Sequence, residues 1–277
     1  VEVNKMPFID VNDLTIHYEV EGNGEPLVIL HGLGNNSQSW KKQLEGLSKE
    51  FTVIAWDAPG YGKSSDPGEE FTQFSQFADV LKGFIEGLHY QSVNLLGHSM
   101  GSAIALDFCS RYPDMVTRLI IADATRGAAG QSHEENERKL KNRLHNIDTL
   151  DPKELAQLRV KELLAPNPDP AVKKEAERIM SQVRPMGYRS VAFSLSNLNQ
   201  MDILPSIPVP VLVICGALDK VTPVSESEIF HQYIPNSILK TIPKTGHLCY
   251  QENPDYFNAL ILNFLQGAYK KEELAER

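Results

Sequence analysis

Cysteine is scarce in this sequence, and its three positions are not paired. Cys109, Cys215 and Cys249 are far apart and lack the short spacing that zinc sites and redox motifs use. A disulfide framework is also disfavoured, because such frameworks use closely spaced cysteines in small secreted chains. The sequence therefore predicts neither disulfides nor a metal or cofactor site, and it suits a reducing compartment.

Long apolar runs and an excess of positive charge are absent as well. No run approaches the roughly 20 residues that span a bilayer, and no secretory leader is recognisable at the amino terminus. Acidic residues number 36 against 27 Lys and Arg, for a net charge of −9, which disfavours binding to nucleic acid or anionic membranes. We therefore expect a cytoplasmic protein with neither partner, and we interpret residues 1–5 as a tag remnant or an upstream extension.

Short apolar segments alternate with helical patterns along most of the 277 residues. Residues 6–21 resemble a hairpin, and six further apolar runs lie at 27–30, 51–56, 93–96, 117–122, 209–215 and 237–242. Helical patterns occupy about 38–49, 72–89, 100–112, 224–233 and 254–268. Such alternation is typical of α/β proteins, whose mostly parallel sheet carries helices on both faces. We predict an eight-stranded sheet in a core domain formed by residues 6–124 and 201–270.

Residues 125–200 interrupt this alternation, since they contain only helix-like and charged segments. Inserted after a strand that ends near Asp123, they would cover the edge of the sheet where ligands usually bind. We therefore predict a helical lid over an enclosed pocket. Enclosed pockets bury most of a small ligand's surface, so long acyl chains should fit poorly.

The stretch Gly-His-Ser-Met-Gly, residues 97–101, joins an apolar strand pattern to a helical one. A chain that passes from strand to helix within one or two residues is crowded, and glycine fits where a Cβ would collide. Ser99 at the apex of such a turn would have a strained backbone and an exposed hydroxyl. The pattern predicts a nucleophilic serine, with a harmless serine in a tight turn as the alternative.

A serine nucleophile needs a base and an acid that holds the base. Asp219 follows the strand pattern VLVICGALD, and His247 follows SILKTI, so both should leave the same sheet edge as Ser99. The chain order serine, acid, histidine is one of few that are known. Asp123 also follows a strand and remains the rival for the acid.

Backbone N–H groups must stabilise the oxyanion that such a serine generates. The turn HGLG at residues 31–34 follows the strand LVIL, so we predict that Leu33 N–H and Met100 N–H form the oxyanion hole, with His31 bracing the turn. A phosphate-binding loop is excluded at GYGKSS, because its first glycine would have to stand at Asp57.

Five stretches together resemble the α/β-hydrolase family: ILHGLGNNSQSW, VIAWDAPGYGKSS, LLGHSMGSAIAL, VLVICGALDKVTP and IPKTGHLCYQENP. Within the family the chain is most similar to the 3-oxoadipate enol-lactonase and small carboxylesterase group. The resemblance implies a triad of Ser99, Asp219 and His247, no cofactor, and a small ester or lactone as substrate. Ser102 departs from the commoner glycine after the turn.

Several functions stay compatible with this resemblance. A serine at position 99 argues against the dehalogenase and epoxide-hydrolase branches, which attack through a carboxylate. Thioester hydrolysis, carbon–carbon hydrolysis of a ring-cleavage diketone and a small-ligand receptor remain as alternatives. For a substrate carboxylate we expect Arg126, Arg184 or Tyr188 as anchors, with Arg189 as a further candidate and solvated surface charge as the alternative. The oligomeric state is left open.

Overall fold

Eight strands form one sheet in the computed structural model, which describes residues 7–269. The strands are β1 (Phe8–Val11), β2 (Leu14–Glu21), β3 (Glu25–Leu30), β4 (Phe51–Trp56), β5 (Val93–His98), β6 (Val116–Ala122), β7 (Val211–Gly216) and β8 (Ser237–Ile242). Their order across the sheet is β1-β2-β4-β3-β5-β6-β7-β8. Strands β1 and β2 pair antiparallel, β2 also pairs antiparallel with β4, and the remaining pairs are parallel.

Ten α-helices surround or extend this sheet in the described part of the chain. They are α1 (Lys41–Leu47), α2 (Phe74–Gly87), α3 (Met100–Arg111), α4 (His133–Thr149), α5 (Pro152–Leu163), α6 (Pro170–Met180), α7 (Pro185–Ser196), α8 (Val224–Tyr233), α9 (Cys249–Glu252) and α10 (Pro254–Leu265). The predicted α/β class with a mostly parallel eight-stranded sheet is confirmed. The predicted hairpin is present as β1 and β2, although its first residue, Met6, lies outside the described residues, as does residue 270 at the end of the predicted core domain.

Both faces of the sheet are buried because the central strands are apolar at successive positions. In β3, Val28 and Leu30 pack in the cluster that contains α2 and α3, whereas Leu27 and Ile29 pack in the cluster that contains α1 and α10. Adjacent side chains of a strand point to opposite faces, so a continuous apolar run fills both layers. No helix among residues 7–269 is long and apolar enough to cross a bilayer.

Helices α4 to α7 lie between β6 and β7, inside the segment predicted to be a lid. Their starts are encoded locally: α5, α6 and α7 begin at a proline, which is favourable at the first helical position. Asp151 and Asp169 cap α5 and α6 by accepting backbone N–H groups. The helices are also bonded to the rest of the chain, for example through Tyr61 Oη, which donates to Gly187 O at 3.0 Å.

Candidate active site

Ser99 occupies a strained turn between β5 and α3. Its φ is 52° and its ψ is −116°, in a region that side-chain-bearing residues rarely adopt. The glycines on either side permit this turn: a Cβ on Gly97 would lie 2.2 Å from Gly101 O, and one on Gly101 would lie 2.4 Å from Leu30 O. The chain can form this turn because positions 97 and 101 have room only for glycine.

Ser102 stabilises this turn through hydrogen bonds of its side chain, a role that was not predicted from the sequence. Its buried hydroxyl lies 2.7 Å from Gly97 O and 3.2 Å from Ala122 O. Ser99 N–H donates to the same Ala122 carbonyl at 2.9 Å. The hydroxyl thus ties the first turn of α3 to the ends of β5 and β6, where a glycine would provide no such bond.

Ser99, His247 and Asp219 form a continuous hydrogen-bonded chain. His247 Nε2 lies 2.9 Å from Ser99 Oγ, and His247 Nδ1 lies 2.7 Å from Asp219 Oδ2. The other carboxylate oxygen accepts the N–H groups of Val221 at 2.7 Å and Thr222 at 3.0 Å. The serine follows β5, the aspartate follows β7 and the histidine follows β8, so the parallel sheet collects all three at the carboxyl ends of its strands.

The electrostatics of this chain suit a proton-accepting histidine. Burial alone raises the pKa of Asp219, but the charge and hydrogen bond of His247 and the donors of Thr222 outweigh burial and leave that pKa below its ordinary value. Burial lowers the pKa of His247, and the Asp219 carboxylate more than reverses this, so the net pKa is raised. A neutral imidazole next to an ionised carboxylate is the form that can accept a serine proton.

Asp123, the rival acid, is held elsewhere. It is fully buried, with Oδ1 accepting Gly216 N–H at 2.8 Å and Oδ2 accepting the Cys249 thiol at 3.0 Å. His98 Nε2 lies 3.5 Å from the same Oδ2 and 2.7 Å from His247 O. Burial raises the pKa of Asp123. The structure therefore brings Asp219 to the imidazole of His247, and it places Asp123 among groups that hold the His247 loop.

The predicted oxyanion donors, Leu33 and Met100, belong to segments that adjoin the serine: Gly32 lies against the Ser99 side chain, and Met100 follows Ser99 in the chain. Leu33 lines the cavity above Ser99, and Met100 is the first residue of α3, where backbone N–H groups have no intrahelical partner. The turn that carries Leu33 is fixed by His31, whose Nε2 accepts Ala58 N–H at 3.0 Å and whose Nδ1 lies 3.0 Å from Gly32 O. Burial lowers the pKa of His31, so its neutral form is favoured.

A cavity of about 680 Å³ opens above Ser99 and His247. Helices α4, α5 and α7 supply much of its lining, and the loop around Lys220 and Thr222 supplies another side. Tyr188, predicted from the sequence as a substrate contact, is 2% exposed and lines this cavity. The volume falls within the range of about 300–1,000 Å³ typical of small-molecule sites.

The predicted arginine anchors are not brought to this cavity. Arg126 forms a two-pronged ion pair with Glu226, at 2.6 and 2.9 Å. Arg184 binds Asp66 at 2.8 Å and also donates to the carbonyl oxygens of Gly62 and Ser64. Neither arginine is among the residues that line the cavity, and Arg189 is likewise paired, with Glu70 and Asp148. Their charges are used to join separate segments of the chain.

Asp123, Asp219 and His247 are also the three residues best placed to hold a metal ion in the described part of the chain. One ligand atom from each lies within 4.8 Å of the others. These atoms already have partners: Asp219 Oδ2 is bonded to His247 and to Thr222 Oγ1, and Asp123 Oδ2 accepts the Cys249 thiol. Each of these oxygen atoms therefore already accepts a hydrogen bond, and a metal ion would have to compete with those donors.

A serine, a histidine and an aspartate thus form one hydrogen-bonded chain at the edge of a doubly covered sheet, and comparison with known proteins agrees with the fold. The model of the alpha/beta hydrolase fold family matches residues 25–254, so the chain belongs to that family.

Three relatives illustrate the range within that family. A 2-hydroxy-6-oxo-6-(2'-aminophenyl)hexa-2,4-dienoic acid hydrolase of Metapseudomonas resinovorans is 26% identical, over 93% of this chain and 90% of its own. A thermophilic esterase from Thermogutta terrifontis, solved with malate bound, is 26% identical, with a TM-score of 0.86 over 95% of this chain and 97% of that chain. The enol-lactonase from Burkholderia xenovorans LB400 shares the fold at 23% identity, with a TM-score of 0.86 over 94% and 100% of the two chains.

Proposed function

We propose that this protein is a serine hydrolase that cleaves a small carboxylic ester or lactone through an acyl-enzyme intermediate. The observation that carries the proposal is the contact of 2.9 Å between Ser99 Oγ and His247 Nε2 at the base of a cavity. The esterase and the enol-lactonase among the similar structures support the same reaction type.

In this mechanism Ser99 Oγ attacks the substrate carbonyl while its proton passes to His247 Nε2. Asp219 stabilises the imidazolium that forms, and the N–H groups of Leu33 and Met100 stabilise the oxyanion. The tetrahedral intermediate then expels the alcohol, or opens the lactone ring, as His247 returns the proton to the leaving oxygen. Water attacks the resulting Ser99 ester by the same route and releases the acid.

We propose that α4 to α7 act as a lid, within a separate insertion of residues 125–200. Tyr188 and Leu195 of α7, with Arg143 of α4, lie in the lining that covers Ser99. A cavity of about 680 Å³ has the size of a small-molecule site, and the polar, basic residues of α4 that line it do not suit a long aliphatic chain.

Carbon–carbon hydrolysis is the second candidate, because one similar protein is a hydrolase of an oxo-dienoic acid. Breaking such a bond requires protonation of a carbon before the ketone is attacked. Unlike ester cleavage, it needs a proton donor placed beside that carbon. A preference of about a hundredfold or more in kcat/KM for a ring-cleavage diketone over a small enol-lactone and short 4-nitrophenyl esters would replace the ester proposal.

The proposal is tested by turnover of 4-nitrophenyl acetate and butyrate by wild type, Ser99→Ala and the exposed control Ser206→Ala. We expect kcat of Ser99→Ala to fall by a factor on the order of 10⁶, the effect of removing a nucleophile, while the fold is retained. Ser206→Ala should match wild type. Full activity of Ser99→Ala, or binding of esters without turnover by wild type, would contradict the proposal, and the second outcome would favour a receptor.

A further inference from the structure

Positive charge is concentrated around the cavity of an otherwise acidic protein. Six cationic side chains line it, against the single carboxylate of Glu162: Arg138, Lys139, Arg143, Arg159, Lys161 and Lys220. The whole chain has a net charge of −9, so this cluster is opposite in sign to the protein as a whole. A cleft lined by one sign of charge attracts ligands of the other sign.

The lining on α4 is one continuous face of that helix. Cavity residues occur at positions 138, 139, 142, 143 and 146, a spacing that places them on one side. Ile147 is the only buried residue of α4. The helix therefore presents a polar, basic face to the cavity, where an apolar ligand would require an apolar one.

Arg138 and Arg143 are the cations of this face without an ion pair among residues 7–269, and Arg143 is the more buried of the two. Lys139 pairs with Glu135 at 3.0 Å, and Arg159 pairs with Glu162 at 2.5 Å, so part of the charge is already neutralised. Arg143 is half-buried, and within residues 7–269 it has neither an ion pair nor a hydrogen bond to another side chain. It faces the same cavity as Ser99.

The local environment of Arg143 favours an incoming anion. Burial and the neighbouring Arg159 lower the pKa of Arg143 to about 10, so the guanidinium stays protonated near neutral pH but its charge is poorly compensated. A partly desolvated charge is stabilised when an opposite charge pairs with it. The planar guanidinium binds a carboxylate through two parallel hydrogen bonds.

We propose that the substrate carries a free carboxylate remote from the bond that is cleaved, and that Arg143 anchors it. The substrate class is then a half-ester of a dicarboxylic acid or a lactone with an acidic side chain. The assignment deepens, and rests on, the proposed function of Ser99. It replaces the sequence-based expectation of Arg126 or Arg184, whose guanidinium groups are paired outside the cavity.

Matched substrates separate charge from size. Mono-4-nitrophenyl adipate carries a terminal carboxylate, and 4-nitrophenyl 6-oxoheptanoate replaces it by a neutral methyl ketone of similar shape. Glutarate and suberate half-esters vary the distance between the ester and the carboxylate. For wild type we expect higher kcat/KM with the best half-ester than with its neutral counterpart, with an advantage that decreases as salt is added.

The variant Arg143→Gln should lose that advantage. We expect kcat/KM for the half-ester to fall about tenfold to a hundredfold, mainly through KM, as for loss of a charge-assisted hydrogen bond, whereas the loss for the neutral ester is much smaller. Arg178→Gln is the matched control, because it removes the same charge from an exposed arginine paired with Glu175 outside the cavity. Equal losses for both esters, or no loss for either, would overturn the role of Arg143.

Binding of adipate itself keeps this inference distinguishable from the proposed function. Calorimetry on Ser99→Ala should show adipate binding that Arg143→Gln in the same background abolishes. If wild type cleaves neutral esters but neither prefers half-esters nor binds adipate, the carboxylate site is wrong and the hydrolase proposal stands. If adipate binds through Arg143 but no ester is turned over, the hydrolase proposal fails and the anion site stands. A stronger preference for a phosphonate-terminated ester would overturn the choice of carboxylate.

Discussion

Replacing Asp219 by asparagine should lower kcat far more than the same change at Asp123, because backbone N–H groups fix the orientation of the side chain at each position. Asp219 Oδ1 accepts two backbone N–H groups, those of Val221 and Thr222, which cannot rotate away. The oxygen of an introduced amide must therefore remain on that side, and its NH2 group must face His247 Nδ1. This favours the tautomer with the proton on Nε2, which cannot accept the proton of Ser99.

The magnitude follows from this loss of the reactive tautomer. A change of the triad aspartate to asparagine elsewhere lowers kcat by about 10⁴, and we expect an effect of that order for Asp219→Asn. At Asp123 the Gly216 N–H fixes the amide oxygen in the same way, but the NH2 group then faces Cys249 and His98. Asp123→Asn should therefore act mainly on stability, at about 1–3 kcal/mol for a disturbed buried polar group.

The assay is kcat/KM with 4-nitrophenyl butyrate for wild type and both variants, together with thermal unfolding. Asp219→Asn should show the large kinetic loss with little change in Tm. Asp123→Asn should keep most of its activity and unfold several degrees earlier, at about 2–4 °C per kcal/mol. If Asp123→Asn were the slower enzyme, the arrangement of acid and base described above would be wrong.

Further outcomes follow from individual contacts. The rise of kcat/KM with pH should have its midpoint above the reference histidine pKa of about 6.5, because Asp219 raises the pKa of His247 and a protonated imidazole cannot accept the serine proton. In Asp219→Asn the residual activity should rise at lower pH. A wild-type midpoint at or below the reference pKa would contradict this. Ser102→Ala should lower Tm by about 2–6 °C, because the carbonyls of two strand ends lose a buried donor, and an unchanged Tm would remove its bracing role. Arg126→Gln should leave KM for half-esters unchanged, because Arg126 is paired with Glu226 outside the cavity, and it should reduce the free energy of unfolding by less than about 1 kcal/mol. A selective rise in KM for half-esters would instead identify Arg126 as the anchor. Butyryl esters should be cleaved faster than palmitoyl esters, and the reverse order would contradict an enclosed pocket.

The features that could be predicted from the sequence alone are those that depend on neighbouring residues in the chain. The apolar runs of the central strands, the Gly-x-Ser-x-Gly turn and the positions of Asp219 and His247 just after strands are local patterns. Because parallel strands end at one edge, these patterns also predicted that the three side chains meet. The structure brings them within hydrogen-bonding distance.

The features that were missed depend on contacts between distant segments. Arg126 and Arg184 were natural candidates for a substrate anchor until their partners, Glu226 and Asp66, were placed beside them by the fold. The basic face of α4 was visible as a helical spacing, but a polar helix face does not reveal by itself whether it borders solvent or a cavity. The brace provided by Ser102 likewise requires the carbonyl of Ala122, 20 residues away.

The most direct test of the central claim is covalent labelling of the nucleophile. A fluorophosphonate should add once per chain, the adduct should map to the peptide that contains Ser99, and turnover of 4-nitrophenyl butyrate should disappear in proportion to labelling, because only a serine activated by His247 reacts in this way. Ser99→Ala should remain unlabelled, and Ser206→Ala should label like wild type. An adduct on another residue, or a fully labelled protein that still hydrolyses the ester, would contradict the assignment of Ser99 as the nucleophile.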